Sequence, residues 1–365
     1  MVFLLPECRV KRKVCLLMKI DLYGLFTDEI AYEFEKLGIE KYRAAQVADW
    51  MYKRGTDDFF QMTNLPADLR ATLCGVCGID RPEEQDVRHS ANGKTTKFLL
   101  RYSDGAAIET VLMRQPYGNS VCVSSQVGCA MGCKFCASTL SGLERNLSGG
   151  EILAQVQHAQ RALGEGQRVS SVVIMGGGEP LANLDEVLRF MKLCHDPNIL
   201  DMGYRSFTVS TCGLVPGIRR LQEQELPVTL SVSLHAPNDE IRSRIMPISR
   251  KYSVPELMAT ANEYALTTKR RVTYEYALIN GVNDSPEHAK ELATLLRGKL
   301  AAVNLIPLNP VPESGLQRST PERIQRFEEM LKVRRITVTI RKEMGADIDA
   351  ACGQLRQRNE KGGVR

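Results

Sequence analysis

Three cysteines lie close together in the sequence, with three and then two residues between them: Cys129, Cys133 and Cys136. Gly132 and the small residues of this segment allow a tight loop whose thiolates can bind one ion or cluster. Three ligands leave a fourth coordination position open. A structural zinc site normally has four ligands, and the segment offers no fourth, since Cys122 lies outside the compact loop. A 4Fe-4S cluster with one free iron therefore fits the spacing better.

A glycine-rich segment that ends in an acid, Gly176 to Glu179, follows a run with the composition of a β-strand. Its backbone carbonyls and the Glu179 carboxylate could receive an ammonium group that has lost its water. A simple glycine turn would explain the glycines but not the acid. Three more polar residues also fall at or just after strand-like runs: Ser210, His235 and Asn309.

Strand-like runs alternate with amphipathic stretches in the second half of the chain. The strand-like runs cover residues 170–175, 206–210, 227–234, 271–278, 302–307 and 336–341, and the helical stretches cover residues 149–162, 184–194, 254–267, 286–296 and 321–332. This alternation predicts parallel strands with helical crossovers. About six units are fewer than the eight of a closed barrel, so we expect an α/β fold with a partial (β/α)6 TIM-like barrel rather than a doubly wound sheet. In either fold, the chemistry belongs at the carboxyl ends of the strands.

The part of the chain before this alternation has a different pattern. Apolar residues at helical spacing from Leu22 to about Cys77 predict a small all-helical accessory domain. Alternating runs on both sides of the turn at 103–105 predict a β-hairpin. We expect the following division of the chain: an N-terminal extension at 1–17 that is either an upstream start or a flexible arm, the helical domain at 18–85, a linking hairpin at 86–114, the catalytic core at 115–357 and a basic tail at 358–365.

The composition narrows the class of protein. The chain has 365 residues and is 43% hydrophobic, which is enough for one large domain and a smaller one. The sequence has no apolar run near the roughly 18 residues of a membrane helix and no secretory signal pattern, so we expect a cytoplasmic protein with no membrane partner. Eleven cysteines in a reducing compartment should include metal ligands or reactive thiols. Cys194 and Cys212 are interpreted as core residues, and Cys74 and Cys77 as buried thiols at a helix end.

Basic residues cluster at four places, although the formal net charge is only +5. The clusters lie at residues 9–13, 242–251, 269–271 and 332–342, and Lys41, Arg43 and Lys53 add a basic rim to the helical domain. Such clusters suit a phosphate backbone. Ordinary solvated faces are the alternative interpretation.

Taken together, these motifs resemble the RlmN/Cfr family of radical S-adenosylmethionine (SAM) RNA adenosine methyltransferases. The cysteine triplet matches the hallmark of radical SAM enzymes, and the resemblance extends from about residue 20 to residue 357. The segments that carry it beyond the triplet are Val121–Cys129, Gly178–Leu181, Ser231–Asn238, Asn304–Pro307, Asn309–Pro310 and Asp347–Leu355. Residues 1–17 lie outside it.

The resemblance implies which residues hold the cofactors and react. It assigns Cys129, Cys133 and Cys136 to one 4Fe-4S cluster. It assigns a larger set to SAM: Gly178, Glu179, Ser210, Ser233, Leu234, His235 and Asn309. It implies that Cys352 carries a methyl group and that Cys122 is its partner in a disulfide. Glu109 matches the family's proposed proton acceptor, with an acid on the outer face of a strand as the alternative.

The resemblance also implies the reaction. Carbon 2 of adenine is electrophilic, so direct displacement on the SAM sulfonium has no nucleophile to use. The family consumes two SAM molecules per methyl group: one methylates Cys352, and the other supplies a 5'-deoxyadenosyl radical that activates this methyl group. Pro180 favours the RlmN branch, which methylates carbon 2 of adenosine 2503 in 23S rRNA and of adenosine 37 in tRNA. Its relatives that methylate carbon 8 of the rRNA adenosine typically have alanine at this position.

The implied partners are 23S rRNA, tRNA and a low-potential one-electron donor such as ferredoxin or flavodoxin. Two other classes of protein remain as alternatives. An iron-sulfur electron carrier would ordinarily use four cysteines and does not need the Gly-Glu-Pro or Ser-Leu-His segments. A non-catalytic RNA-binding protein would explain the basic clusters alone.

Overall fold

The first part of the chain forms a small, mostly helical unit in the computed structural model, which describes residues 19–309 and 311–341. Its elements are β1 (Ile20–Asp21), α1 (Thr27–Lys36), α2 (Arg43–Ala48), α3 (Ala67–Val76) and β2 (Cys77–Gly78). Strand β1 pairs with β2 in parallel and so joins the start of this helical unit to its end. The sequence predicted only helices here, because strands of two residues leave no alternating pattern.

The next four strands form an antiparallel series. They are β3 (Glu83–His89), β4 (Thr95–Arg101), β5 (Ala107–Gln115) and β6 (Gly118–Val123). The predicted hairpin is therefore present as β4 and β5. This hairpin is part of the main sheet, because β5 pairs with β6 and β6 pairs in parallel with a later strand of that sheet. The chain then forms a small antiparallel pair, β7 (Gln126–Gly128) and β8 (Leu143–Asn146).

Six further strands alternate with helices in the second half of the chain. The strands are β9 (Val169–Ile174), β10 (Phe207–Thr211), β11 (Thr229–Ser233), β12 (Val272–Leu278), β13 (Ala301–Pro307) and β14 (Val338–Ile340). The helices are α4 (Gly149–Arg161), α5 (Leu184–His195), α6 (Val215–Gln222), α7 (Asp239–Ile245), α8 (Val254–Thr268), α9 (Pro286–Leu296) and α10 (Pro321–Val333). Polar side chains cap several of the helix starts, as Ser148 does for α4, where it accepts a hydrogen bond from the Glu151 N–H.

The main sheet has ten strands in the order β14-β13-β12-β11-β10-β9-β6-β5-β4-β3. Its parallel part, from β6 to β14, follows the order of the chain without reversal. A doubly wound sheet would reverse at a central strand, whereas a barrel adds each strand on the same side. The predicted partial barrel is confirmed, with β6 as an additional parallel strand before the six expected ones.

The helical unit packs against α4 through buried polar contacts and against α5 through partly buried ones. The Tyr23 hydroxyl donates to Gln157 Oε1 at 2.7 Å, and Gln157 Nε2 donates to the Tyr52 carbonyl at 3.2 Å. Arg189 of α5 donates to Glu29 Oε1 at 2.9 Å and to the Gly24 carbonyl at 2.8 Å. Within residues 19–309 and 311–341, no helix combines the length and the apolar character needed to cross a bilayer.

Candidate active site

The cysteine loop leaves the sheet between β7 and β8, and a glycine allows it to do so. Gly128 has φ +76°, and a Cβ atom there would lie 2.0 Å from the Gly142 carbonyl oxygen. The Cys129 N–H donates to the same oxygen at 2.9 Å. Gly128 thus lets the two chain segments approach closely enough to fix the first cysteine of the loop.

The three thiols of this loop lie in partly buried surroundings. Cys129 and Cys133 are buried and Cys136 is half-buried. The Cys136 N–H donates to the Cys133 carbonyl at 3.1 Å, and Thr139 Oγ1 donates to the Cys136 carbonyl at 2.9 Å. Burial raises the pKa of Cys133 well above its usual range, and the neighbouring thiols of Cys136 and Cys129 raise it further. A bound iron centre would offset this cost, because its positive charge favours the thiolates.

The chemistry of the three thiols bears on what they can bind. Thiolates are the usual ligands of iron-sulfur clusters, and Cys129, Cys133 and Cys136 come from one short loop. The donor set therefore fits an iron-sulfur cluster.

Ser124, just after β6, connects three parts of the site. Its Oγ donates to the Glu109 carbonyl at 2.9 Å and accepts from the Gly177 N–H at 2.9 Å. The side chain of the buried Gln155 of α4 forms two hydrogen bonds with the Ser124 backbone: Oε1 accepts from the Ser124 N–H, and Nε2 donates to the Ser124 carbonyl. The sequence marked this segment only as part of a motif, and the structure gives it a scaffolding role.

Gln126 holds the glycine-rich segment against β7. Its Oε1 accepts from the Glu179 N–H at 2.8 Å, and its Nε2 donates to Asn146 Oδ1 at 2.7 Å. Gly178 has φ +100°, and a Cβ atom there would lie 2.5 Å from the Gln126 Cβ. Only glycine allows this approach.

Glu179 is buried and bridges the ends of two parallel strands. Its Oε2 accepts from the Cys212 N–H at 2.7 Å, after β10, and its Oε1 accepts from the Leu181 N–H at 3.1 Å. Burial raises the pKa of this carboxyl above its ordinary value, although these hydrogen bonds oppose the rise. Each carboxylate oxygen can accept a second hydrogen bond, so Glu179 can still receive an ammonium group.

The remaining residues predicted to bind SAM lie at the same edge of the sheet. Ser210 is the second-to-last residue of β10, Ser233 ends β11, and Leu234 and His235 follow Ser233 directly. Asn309 follows β13 and is exposed. The fold thus gathers all of them, together with Glu179, at the carboxyl ends of parallel strands.

His235 connects this edge to the cysteine loop. Its ring lies edge-on to the Phe135 ring, with 4.7 Å between the two centroids. In the sequence, Phe135 lies between two of the predicted cluster ligands, Cys133 and Cys136. Its Nδ1 accepts from the Ala277 N–H at 2.9 Å, so the proton of the neutral ring is on Nε2. Complete burial lowers the pKa of His235 to about 3, which keeps the ring neutral at physiological pH.

A cavity that is partly open to solvent lies between the cysteine loop and the antiparallel strands. Glu109 and Cys122 line it together with Ser124, Ala137 and Gly177. Cys122 is paired across the sheet with Val111 of β5, so these two side chains lie on the same face. Glu109 is two residues before Val111 in the same strand, and its side chain therefore lies on that face too. Glu109 and Cys122 thus share one face of the sheet.

Glu109 is not on a solvent-facing surface. It is buried and forms an ion pair with Lys97, whose Nζ lies 2.9 Å from Oε2 and whose side chain is fully buried. The alternative of an acid on an outer strand face is therefore wrong for Glu109. Cys352, the predicted methyl carrier, lies outside the described residues, as does its pairing with Cys122.

Two charged residues of the site were missed in the sequence, Lys97 beside Glu109 and Arg242. Arg242 belongs to a run that suggested a phosphate-binding or solvated face, but its side chain is fully buried in α7. It donates to the carbonyls of Cys212, Ser233 and Leu234 at 2.6, 3.1 and 3.0 Å. Charge patterning alone could not have found it, because arginines are rarely buried. Cys212 is buried, as expected of a core residue, yet its backbone binds both Glu179 and Arg242.

Two family models match the chain. Residues 123–293 match the radical SAM superfamily, and residues 20–79 match the ribosomal RNA large subunit methyltransferase N-terminal domain. The first range contains the cysteine loop, Glu179 and His235. The second corresponds to the helical unit.

Curated proteins of similar sequence span nearly the whole chain. A "Probable dual-specificity RNA methyltransferase RlmN" of Symbiobacterium thermophilum is 53% identical over 341 residues, 93% of this chain and 92% of that protein. A protein with the same description in Bacillus subtilis is 49% identical over 346 residues, 94% of this chain and 95% of that protein. A crystal structure of a radical SAM methyltransferase from Sphaerobacter thermophilus is 46% identical, with a TM-score of 0.88, and the match covers 92% of this chain and 98% of that one.

Proposed function

The chain belongs to the RlmN family of radical SAM RNA methyltransferases, and on that basis we propose that it methylates carbon 2 of adenosine 2503 in 23S rRNA and of adenosine 37 in tRNA. It is an enzyme that uses a 4Fe-4S cluster and SAM. The observation that carries the proposal is a cavity that Glu109 and Cys122 line together with residues of the cysteine loop. Neither an electron carrier nor a simple RNA-binding protein needs such a cavity.

The proposed cluster ligands are Cys129, Cys133 and Cys136, and the bound cluster supplies an electron that cleaves SAM to a 5'-deoxyadenosyl radical. Glu179 is proposed to accept the SAM ammonium group, which would compensate its buried charge. His235 remains neutral and places an Nε2–H donor at the same edge of the sheet. Gly178, Ser210, Ser233, Leu234 and Asn309 complete the proposed SAM site.

Cys352 is proposed to take the methyl group from a first SAM molecule by displacement, for which a thiolate is a suitable nucleophile. Hydrogen abstraction from the methylated Cys352 then leaves a carbon radical, which adds to the adenine ring and joins enzyme to RNA. The thioether carbon thus becomes the new methyl carbon of the base. This order requires Cys352 to reach both SAM and the cavity that contains Cys122.

Release of the product is assigned to Glu109 and Cys122. The adduct must lose one electron, which the oxidised cluster could take back, and the ring proton, which Glu109 accepts. The Cys122 thiolate then attacks the Cys352 sulfur and forms the Cys122–Cys352 disulfide, while the bond between that sulfur and the transferred carbon breaks. The released carbon takes up a proton, which Glu109 could return, and becomes the methyl group of the base. The disulfide must be reduced before the next turnover.

The helical unit is proposed to bind folded RNA through shape and phosphate contacts. It carries two aromatic residues with basic partners: Arg43 lies over the ring of the exposed Tyr42 at 4.6 Å, and Arg54 lies over the ring of the half-buried Trp50 at 4.1 Å. The target base would have to leave its stack to reach the cavity, as other base-modifying enzymes require. A low-potential donor such as ferredoxin or flavodoxin would supply the electron for the cluster.

The test is mass spectrometry of adenosines from rRNA and tRNA treated with reconstituted enzyme, SAM and a reductant. We expect 2-methyladenosine in both RNAs, together with 5'-deoxyadenosine. A product methylated at carbon 8 would replace the proposal by the alternative activity of the family. Absence of 5'-deoxyadenosine under reducing conditions, with the cluster intact, would contradict the radical mechanism.

A further inference from the structure

Arg242 is a fully buried cation that lacks a close anionic partner in the described part of the chain. Its Nε and Nη2 atoms donate to three backbone carbonyls, whereas Nη1 has no hydrogen-bond partner among the described residues. Asp239 acts on it electrostatically, but the Asp239 Oδ1 atom accepts from the Val254 N–H at 2.7 Å and from Ser249 Oγ at 3.2 Å. Carbonyl oxygens satisfy the N–H groups of Arg242 without neutralising its charge.

An uncompensated buried charge is costly, by several kcal/mol even after the protein relaxes. A fold that keeps a buried guanidinium with a free N–H therefore indicates an anion that binds beside it. Burial lowers the pKa of Arg242, and the nearby Cys212 and Cys133 thiols act in the opposite direction. The Arg242 guanidinium donates to the Cys212 carbonyl at 2.6 Å, and Cys212 and Cys133 belong to one buried apolar cluster. The guanidinium therefore lies near one predicted cluster ligand.

Helix α7, which carries Arg242, is bonded to the cysteine loop. The Lys134 N–H donates to the Ile245 carbonyl at 2.9 Å, at the end of α7. Cys133, Cys212 and Met246 belong to one buried apolar cluster. Water is therefore largely excluded between α7 and the loop, and a charge there acts more strongly than at the surface.

We propose that Arg242 is the buried counter-charge of the 4Fe-4S cluster and that it raises the potential at which the cluster accepts an electron. Reduction adds one negative charge to a group already held by three thiolates, and a fixed cation nearby stabilises the reduced form. Arg242 is a positioning residue as well, since it also fixes the Ser233 and Leu234 carbonyls at the proposed SAM site. The inference rests on the proposed cluster ligands.

The experiment measures the midpoint potential of the reconstituted full-length enzyme by an anaerobic redox titration followed by electron paramagnetic resonance, without SAM. Arg242→Gln should lower the potential, with the equilibrium constant for reduction falling on the order of tenfold, or about 59 mV for one electron. Arg242→Lys keeps the charge and should stay closer to the parent. The matched control is Arg244→Gln on the same helix, where the exposed Arg244 pairs with the exposed Glu240; its potential should equal that of the parent.

Several results would overturn the proposal. One is equal potentials for the parent and Arg242→Gln; another is the same decrease in Arg242→Lys as in Arg242→Gln. A third is an unchanged potential with weaker SAM binding, which would assign Arg242 to the SAM carboxylate. If Arg242→Gln does not fold, Asp239→Asn is the second variant. Removing the negative charge of Asp239, which acts on Arg242, should raise the midpoint potential of the cluster, and an unchanged potential would contradict the proposal. Iron analysis of Cys133→Ala tests the ligands separately: undiminished iron would refute the ligand assignment, whatever the Arg242 variants show.

Discussion

At the scale of single residues, the two thiols of the proposed mechanism have roles that can be separated. Cys122 lines the cavity near Glu109, whereas Cys352 was identified by resemblance alone. Cys122→Ala should still accept a methyl group on Cys352, produce the radical and add it to the base, but it lacks the thiol that releases the product. A protein–RNA adduct should accumulate, visible as a band that survives denaturation and shrinks on nuclease treatment.

Two controls accompany this measurement. Cys352→Ala has no sulfur for the methyl group and should form neither methyl-protein nor methyl-RNA. Cys74→Ala alters a half-buried thiol of the helical unit and should turn over like the parent. If Cys122→Ala turns over at the parental rate with no trapped adduct, Cys122 is not the partner of Cys352.

Glu179 should make SAM binding depend on pH. Burial raises the pKa of its carboxyl in the free enzyme, and the SAM ammonium group favours the ionised form. SAM affinity should therefore rise as the pH rises through this elevated pKa and weaken as the pH falls below it. His235 should contribute nothing to this dependence above about pH 5, because its pKa is about 3.

Isothermal titration of SAM into the reconstituted enzyme at several pH values measures the effect. Glu179→Gln should remove the pH dependence and weaken binding by roughly 3–5 kcal/mol, which is at least about a hundredfold in Kd. The iron content should stay at the parental level. A parent enzyme whose SAM affinity does not change with pH, or a Glu179→Gln variant of parental affinity, would remove the Glu179 carboxylate from the SAM site.

The sequence identified the residues whose types and spacing define motifs, but not the charged residues that support them. The cysteine triplet and the Gly-Glu-Pro segment are recognisable because few other arrangements use those residues at that spacing. Lys97 and Arg242 are fully buried in the structure, although lysine and arginine are usually exposed. Their burial depends on contacts between residues far apart in the chain, such as Arg242 with Cys212, which no local pattern encodes.

At the scale of elements, strand and helix positions were predictable where the pattern is long. The strands β9 to β13 and the helices α4, α5 and α8 to α10 lie within a few residues of the predicted runs. Helices α6 and α7 have eight and seven residues, too few for a clear helical period, and both were missed. β3 consists almost entirely of polar residues and belongs to the sheet because it pairs with β4.

The turn into the cysteine loop depends on one glycine. Gly128→Ala would bring a Cβ atom to 2.0 Å from the Gly142 carbonyl oxygen, so β7 and β8 would have to separate. Cys129 would move with them. We expect the purified variant to retain little iron after anaerobic reconstitution, as measured by iron analysis and visible absorption.

Gly142→Ala is the matched control for this substitution. Gly142 also has a positive φ, +71°, but an added Cβ atom would meet no atom within 4 Å. Its cost should be limited to the backbone preference, roughly 1–2 kcal/mol. Equal iron content in both variants would show that the close approach at Gly128 does not shape the cluster site.

At the scale of the whole molecule, the proposed function depends on the position of the helical unit relative to the barrel. The proposed RNA-binding surface lies on the helical unit, whereas the target base must enter the cavity at the barrel. Buried Gln157 of α4 connects the two through the Tyr23 hydroxyl and the Tyr52 carbonyl. A fixed geometry between them would let the distance from the bound RNA to the cavity select one adenosine.

Gln157→Leu should loosen this connection while preserving the size of the side chain. It leaves the Tyr23 hydroxyl and the Tyr52 carbonyl without their partner, at a cost of about 1–3 kcal/mol for each buried group. We expect faster limited proteolysis between the helical unit and the barrel, and weaker binding of tRNA in a gel-shift assay. SAM cleavage without RNA should be unchanged, because the hydrogen bonds of Gln157 join it to Tyr23 and Tyr52 of the helical unit.

Gln160→Leu provides the comparison on the same helix. Gln160 binds the Gln167 carbonyl and the Val169 N–H, both within the barrel part of the chain, so its loss should not free the helical unit. RNA affinity should then fall in Gln157→Leu and not in Gln160→Leu. If both variants bind tRNA like the parent while proteolysis shows that the helical unit has loosened, its position relative to the barrel does not determine RNA binding, and the contacts to RNA must lie on the barrel.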